Sequence, residues 1–76
     1  MKEKLIDFLN HYFDVDKITD DTNIFQLGYV NSLFSMQLIM FLENNFGISI
    51  EPSDLNVSNF LSINNIIEFI NRKTNV

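Results

Sequence analysis

Asn31-Ser32-Leu33-Phe34-Ser35-Met36-Gln37-Leu38-Ile39-Met40-Phe41-Leu42-Glu43-Asn44-Asn45-Phe46-Gly47 is the stretch that decides the fold. Leu38, Ile39, Leu42 and Phe46 recur at helical spacing, so a helix is expected from about Ser32 to Phe46 with these four as its core stripe. Asn31 or Ser32 supplies its N-cap, and Gly47 is placed to end it in a left-handed conformation. Adding Phe34, Met36, Met40 and Phe41 makes the helix apolar on nearly every side, so part of it must be exposed or line a groove that faces a partner. The loop Gly28-Tyr29-Val30 leads straight into Asn31-Ser32-Leu33, which puts a serine hydroxyl at the helix mouth. A helix start offers unpaired backbone N–H groups and the positive end of the macrodipole, and both favour a phosphodiester attached to Ser32.

Ser32 reads as an attachment point and not as a nucleophile. A catalytic serine needs a base within hydrogen-bond reach and a third group to orient it, yet the chain has one histidine, His11, in the first helical segment. No Gly-x-Ser-x-Gly elbow surrounds Ser32.

Leu5, Ile6, Leu9, Tyr12 and Phe13 predict a first amphipathic helix from about residue 2 to 13, with Phe8 widening its apolar face. From Asp14 to Val30 the periodicity fades, and Asp14, Asp16, Thr19, Asp20, Asp21, Thr22 and Asn23 favour turns and caps. Ile18, Ile24, Phe25 and Leu27 are apolar points in this long loop, and they are expected to stitch it onto the core. Phe25 in particular is expected to behave as a core residue. After the second helix, Pro52, Ser53 and Asp54 mark a turn, and Leu55 to Phe60 is long enough only for a short, poorly specified helix. Ser62 caps a last helix whose face is Ile63, Ile66, Ile67 and Ile70, with Arg72 and Lys73 complementing its negative end. The expected fold is all-α: a four-helix bundle with a long loop between the first two helices, a short third helix and no sheet.

Composition narrows the function classes. With 76 residues and no composition break, residues 1–76 are read as one domain near the lower size limit for a self-sufficient core. The chain has no cysteine, which removes disulfides and thiolate metal sites and suits a cytoplasmic setting. A formal charge of −5 argues against a nucleic-acid backbone as partner. Lys2 and Lys4 are interrupted by Glu3 and Asp7 without a long apolar run behind them, so neither a signal peptide nor a membrane span is expected. The acidic loop lacks the glycine and terminal glutamate of a calcium-binding hand, and Val15 stands where His11 would need a second metal ligand. No metal is expected, and His11 reads as a surface residue.

The order and spacing of several segments resemble the acyl carrier proteins. Asp21-Thr22-Asn23-Ile24-Phe25-Gln26-Leu27-Gly28 looks like the end of that family's loop, Asn31-Ser32-Leu33 like its Asp-Ser-Leu attachment motif, and Leu42-Glu43-Asn44-Asn45-Phe46-Gly47-Ile48 like the end of its second helix. Ser62 to Ile70 fits the capped fourth helix. The resemblance implies a non-enzymatic carrier whose Ser32 receives 4'-phosphopantetheine from coenzyme A through a separate transferase. The arm then holds an acyl or aminoacyl group as a thioester and presents it at high effective concentration. Implied partners are a phosphopantetheinyl transferase, an acyl- or aminoacyl-loading enzyme, and downstream synthase or tailoring enzymes, with the carrier itself a monomer. Asn31, Leu33, Phe34, Met36, Gln37 and Met40 are the residues expected to face those partners.

Two departures from the family stand out. Asn31 replaces the usual aspartate, keeping the capping ability but losing the charge that helps present the serine and its metal to the transferase. On the outer face of the second helix Phe34, Gln37, Asn44 and Asn45 occupy positions often acidic in fatty-acid carriers, leaving only Glu43 charged. The wording Val30 to Leu38 is similar to stand-alone carriers of unusual polyketide extender units, such as hydroxy-, methoxy- or aminomalonyl groups. A D-alanyl carrier and a fatty-acid carrier are the competing subtypes. From a different class, an unmodified helical adaptor could use the apolar second helix to hold a partner helix.

Overall fold

A computed structural model describes residues 2–28 and 31–74. Tyr29 and Val30, the end of the expected loop, lie outside the described residues. Among the described residues there are three α-helices, α1 (Lys2–Leu9), α2 (Ser32–Phe46) and α3 (Ile63–Thr74), joined by short 3-10 turns and no strands. The all-α expectation holds at that level. In place of the expected short third helix stands one 3-10 turn, Val57–Asn59, preceded by another at Pro52–Asp54. Three residues with i→i+3 bonds are all that a stretch without helical spacing of its apolar residues can support.

The first helix is also shorter than its apolar spacing suggests. α1 stops at Leu9, and residues 10–13 continue as a tighter turn in which Tyr12 N–H donates to Leu9 O at 2.9 Å. Side chains compete with the helix here. The Asn10 side-chain oxygen accepts the Val15 N–H at 3.2 Å, and the exposed His11 ring Nδ1 lies 2.8 Å from Asp7 O.

The long loop is tied down at its far end. Asp14 and Asn23 cap the 3-10 turns Val15–Lys17 and Ile24–Leu27, their side-chain oxygens accepting from Asp16 and Phe25 N–H. Backbone bonds from Ile24 N–H to Leu61 O at 2.9 Å and from Asn64 N–H to Asp20 O at 3.0 Å fasten it to the start of α3. Ile24 is completely buried, whereas Phe25 is 38% exposed, which corrects the expectation that Phe25 is core. The reversal follows from the tight 3-10 turn, which sends neighbouring side chains to different sides. Ile24→Ala is therefore expected to destabilise by about 2–5 kcal/mol, while Phe25→Ala should cost about 1 kcal/mol or less. Urea denaturation of both variants checks this, and equal losses would contradict it.

One core joins the three helices: Leu5 and Leu9 of α1, Phe34, Leu38 and Leu42 of α2, and Ile63, Ile66, Phe69 and Ile70 of α3, with Phe13, Ile24 and Ile48 from the connections. Of the stripe expected on α2, Leu38 and Leu42 are buried, while Ile39 and Phe46 are half-buried at its edges. On α3, Phe69 joins the expected isoleucines and Ile67 is half-buried.

The segment 51–60 is attached to α3 by polar side chains. Lys73 Nζ donates to Asp54 Oδ2 at 2.8 Å. That ammonium, and next the Glu51 N–H donating to the same oxygen, hold the Asp54 carboxyl below the usual carboxylate range.

Candidate functional site

The start of α2 is built by Asn31. Its backbone is extended, and its side-chain oxygen accepts the Phe34 N–H at 2.9 Å while its carbonyl accepts from Ser35 N–H at 2.9 Å. A cap of this kind is worth about 1 kcal/mol. The amide of asparagine performs it without a charge, so the cap survives the replacement of aspartate. Within the first turn the N–H groups of Ser32 and Leu33 have no intrahelical acceptor, and the Ser32 side chain is exposed. At the other end Gly47, at φ 63°, donates to Glu43 O at 3.1 Å, the left-handed cap that its position predicts.

A second serine also stands at a helix start, and the contrast is informative. Ser62 is buried, and its hydroxyl is engaged with Asn65, donating to the side-chain oxygen and accepting from the Asn65 N–H. Ser35 is half-buried one turn inside α2, and Ser53 and Ser58 sit in 3-10 turns that end after three residues. An accessible hydroxyl at the mouth of a long helix therefore occurs at Ser32.

Beside it opens an apolar cleft of about 260 Å³. Phe34, Ser35, Leu38 and Ile39 of α2 form one side, and Leu55, Asn56, Val57 and Phe60 form the facing wall. Ile24 and Phe25 also line it, which accounts for the exposed edge of Phe25. Ser35 lies three residues after Ser32 and so on a neighbouring position of the helix surface, which brings Ser32 next to the cleft. Leu55 and Val57 were not marked as functional by their sequence. The available signal was a pair of large apolar residues in a stretch without the periodicity that would bury them.

The residues expected to face partners separate into two groups. Leu33, Met36 and Met40 are 65%, 61% and 52% exposed and, at i, i+3 and i+7, line one strip of α2 running away from Ser32. Asn31 and Gln37 are exposed as well. Phe34 is corrected: at 2% exposure it belongs to the core, with its ring edge-on to Tyr12 at 4.9 Å and tilted against Phe8 and Phe13. Helical geometry turns position 34 toward α1, on the same side as Leu38 and Leu42. Glu43 is corrected too. It is half-buried, and its carboxylate accepts the Ile50 N–H at 3.0 Å instead of standing on an outer charged face. No group of three or more His, Cys, Asp or Glu side chains suited to a metal occurs among the described residues.

An exposed serine at a capped helix start, next to an apolar cleft in an all-helical domain, is the arrangement of a carrier for a covalently tethered group. The chain belongs to the acyl carrier protein family, as its residues 1–70 match the family described as "Phosphopantetheine attachment site". It is 32% identical to the D-alanyl carrier protein of Streptococcus uberis over 77 aligned positions, covering 99% of this chain and 96% of that one. It is also 29% identical to the D-alanyl carrier protein of Lactococcus lactis subsp. cremoris, over 97% of this chain and 96% of the relative. The family's covalent cofactor is 4'-phosphopantetheine, and its members are carriers on which separate enzymes act. When attached, that group supplies a thiol on a flexible arm, the one thiol in a chain without cysteine. The residues here fit it: Ser32 offers an exposed hydroxyl at the start of α2, the end of a helix that favours a phosphate.

Proposed function

We propose that Ser32 carries the 4'-phosphopantetheine arm and that the chain shuttles an acyl or aminoacyl group on it as a thioester. The observation that supports this most is the pair of helix-start serines, one exposed with its hydroxyl available and the other buried with its hydroxyl engaged. In the loading reaction the Ser32 oxygen bonds to the phosphorus next to pantetheine in coenzyme A. The pyrophosphate bond breaks, adenosine 3',5'-bisphosphate leaves, and the serine proton passes to the transferase. The cytoplasm, where coenzyme A is at hand, is the setting proposed.

D-Alanine is the preferred cargo, because the relatives named for it align with this chain from end to end. The polyketide extender-unit reading rests on the wording of Val30 to Leu38 alone. The test is to arm the protein with coenzyme A and a broad-specificity transferase, then offer D-alanine, ATP and a D-alanine-activating ligase. Intact mass should show one added alanyl group, removable by hydroxylamine. Failure of alanylation on an armed protein that accepts a substituted malonyl group from its loading enzyme would replace D-alanine by an extender unit.

Partner recognition is proposed to run through the apolar strip Leu33, Met36 and Met40, with Asn31 and Gln37 beside it. Salt separates this from charge recognition, because ionic strength screens exposed ion pairs and leaves apolar burial intact. Affinity for the loading enzyme is expected to change by less than about threefold between about 0.05 and 0.3 M salt. Met36→Ala and Met40→Ala should each weaken it by about fivefold, the scale of a partly buried side chain. A steep salt dependence with no loss from either substitution would mean that the acidic residues carry recognition.

A further inference from the structure

The outer wall of the cleft reaches the core through one half-buried side chain, Phe60. None of the residues 51–60 is buried, and the segment consists of two isolated 3-10 turns. Leu55 and Val57, which face α2 across the cleft, are each more than half exposed. A segment that buries so little opens at low free energy, so the few contacts that hold it decide its position.

Those contacts come from the last turn of α3. Lys73 Nζ donates to Asp54 Oδ2 at 2.8 Å, and Arg72 Nη2 donates to the side-chain oxygen of Asn59 at 2.6 Å. The two ties are joined, because Asn59 Nδ2 donates to Asp54 O at 2.8 Å. The Lys73 and Asp54 side chains are only 24% and 21% exposed, which protects their bond from screening. Phe69 anchors the same region from within: Phe60 meets its ring edge-on at 5.2 Å, and the Arg72 guanidinium lies 5.9 Å from its centroid. Complementing the helix dipole would require neither a specific acceptor nor this joined network, so the dipole alone does not explain the two basic side chains.

We infer that Arg72 and Lys73 are positioning residues that hold the outer wall of the cleft against α3 and so set which acyl groups the cleft encloses. This rests on the carrier function proposed above and not on D-alanine as its cargo. With the ties in place the wall stays close to α2, and an apolar chain delivered from Ser32 finds two facing surfaces. With the ties broken the wall swings away and the chain keeps only the α2 side.

The test compares wild type with Lys73→Gln/Arg72→Gln, using the full chain. Before any modification, hydrogen exchange at the Leu55, Asn59 and Phe60 amides should be about tenfold faster in the double variant, with α1 and α2 amides unchanged, as loss of two charge-assisted bonds implies. Unchanged exchange in that segment overturns the inference. Acetyl and octanoyl arms are then transferred from the corresponding acyl-coenzyme A, and the melting temperature is measured for each. The octanoyl form of wild type should melt higher than the acetyl form, as binding inside the folded state requires. That increment should fall by at least half in the double variant and return in Lys73→Arg/Arg72→Lys, which keeps both donors. A general structural role would lower both forms equally and leave the increment intact, which overturns the inference, as does the absence of any increment in wild type. Absence of a mass gain on Ser32 speaks only against the carrier function, since the exchange comparison needs no arm.

Discussion

Replacing Phe34 with alanine is expected to remove about 3–5 kcal/mol of stability, the range for truncating a buried aromatic. A domain of 76 residues has about 4–11 kcal/mol in total. The variant should therefore be largely unfolded or melt far below wild type. Phe34 is 2% exposed and joins α1 to α2 through an aromatic group in which Phe8 also stacks on Phe41 at 4.4 Å. Aromatic pairs of this kind add about 0.5–1.5 kcal/mol beyond their buried area, which puts the loss toward the upper end. Phe34→Leu, which keeps most of the volume, should cost about 1–2 kcal/mol and preserve the cleft. Circular dichroism melting of both variants checks the assignment. A Phe34→Ala protein as stable as wild type, but weak in partner binding, would return Phe34 to the docking surface.

Much of α2 was legible from its residues. Asn31 and Gly47 marked both ends because capping chemistry is local, and the excess of apolar side chains between them required an exposed strip. Sequence did not tell which aromatic belonged to the core. Phe34 stands at i, i+4 and i+8 with Leu38 and Leu42, a spacing that Met36 does not share, and the surplus of apolar residues around the helix obscured that stripe. Phe25 and Ile24 pose the same problem in the loop, where a 3-10 turn has no long periodicity to follow. Glu43 looked like a surface charge because its acceptor role depends on where Ile50 returns after Gly47. The cleft wall was the least legible part, since it is held by Arg72 and Lys73 across distances of 13 and 19 residues that no local pattern encodes.

Ser32→Ala is expected to have the largest functional effect, complete loss of the arm and with it of all acyl loading. No other serine stands exposed at the start of an α-helix: Ser62 is buried and bonded, Ser35 is half-buried inside α2, Ser49 is exposed in the connection after α2, and Ser53 and Ser58 lie in single 3-10 turns. The substitution should leave the fold intact. Asn31 supplies the cap of α2, so Ser32 is exposed and alanine is a better helix former at the first helical position. Unchanged melting with lost modification separates an attachment role from a structural one. The decisive measurement is intact mass after incubation of wild type and Ser32→Ala with coenzyme A and a broad-specificity phosphopantetheinyl transferase. Wild type should gain the mass of one phosphopantetheine and Ser32→Ala none; a gain that persists in the alanine variant, or wild type that stays unmodified with several transferases, would contradict the assignment of Ser32.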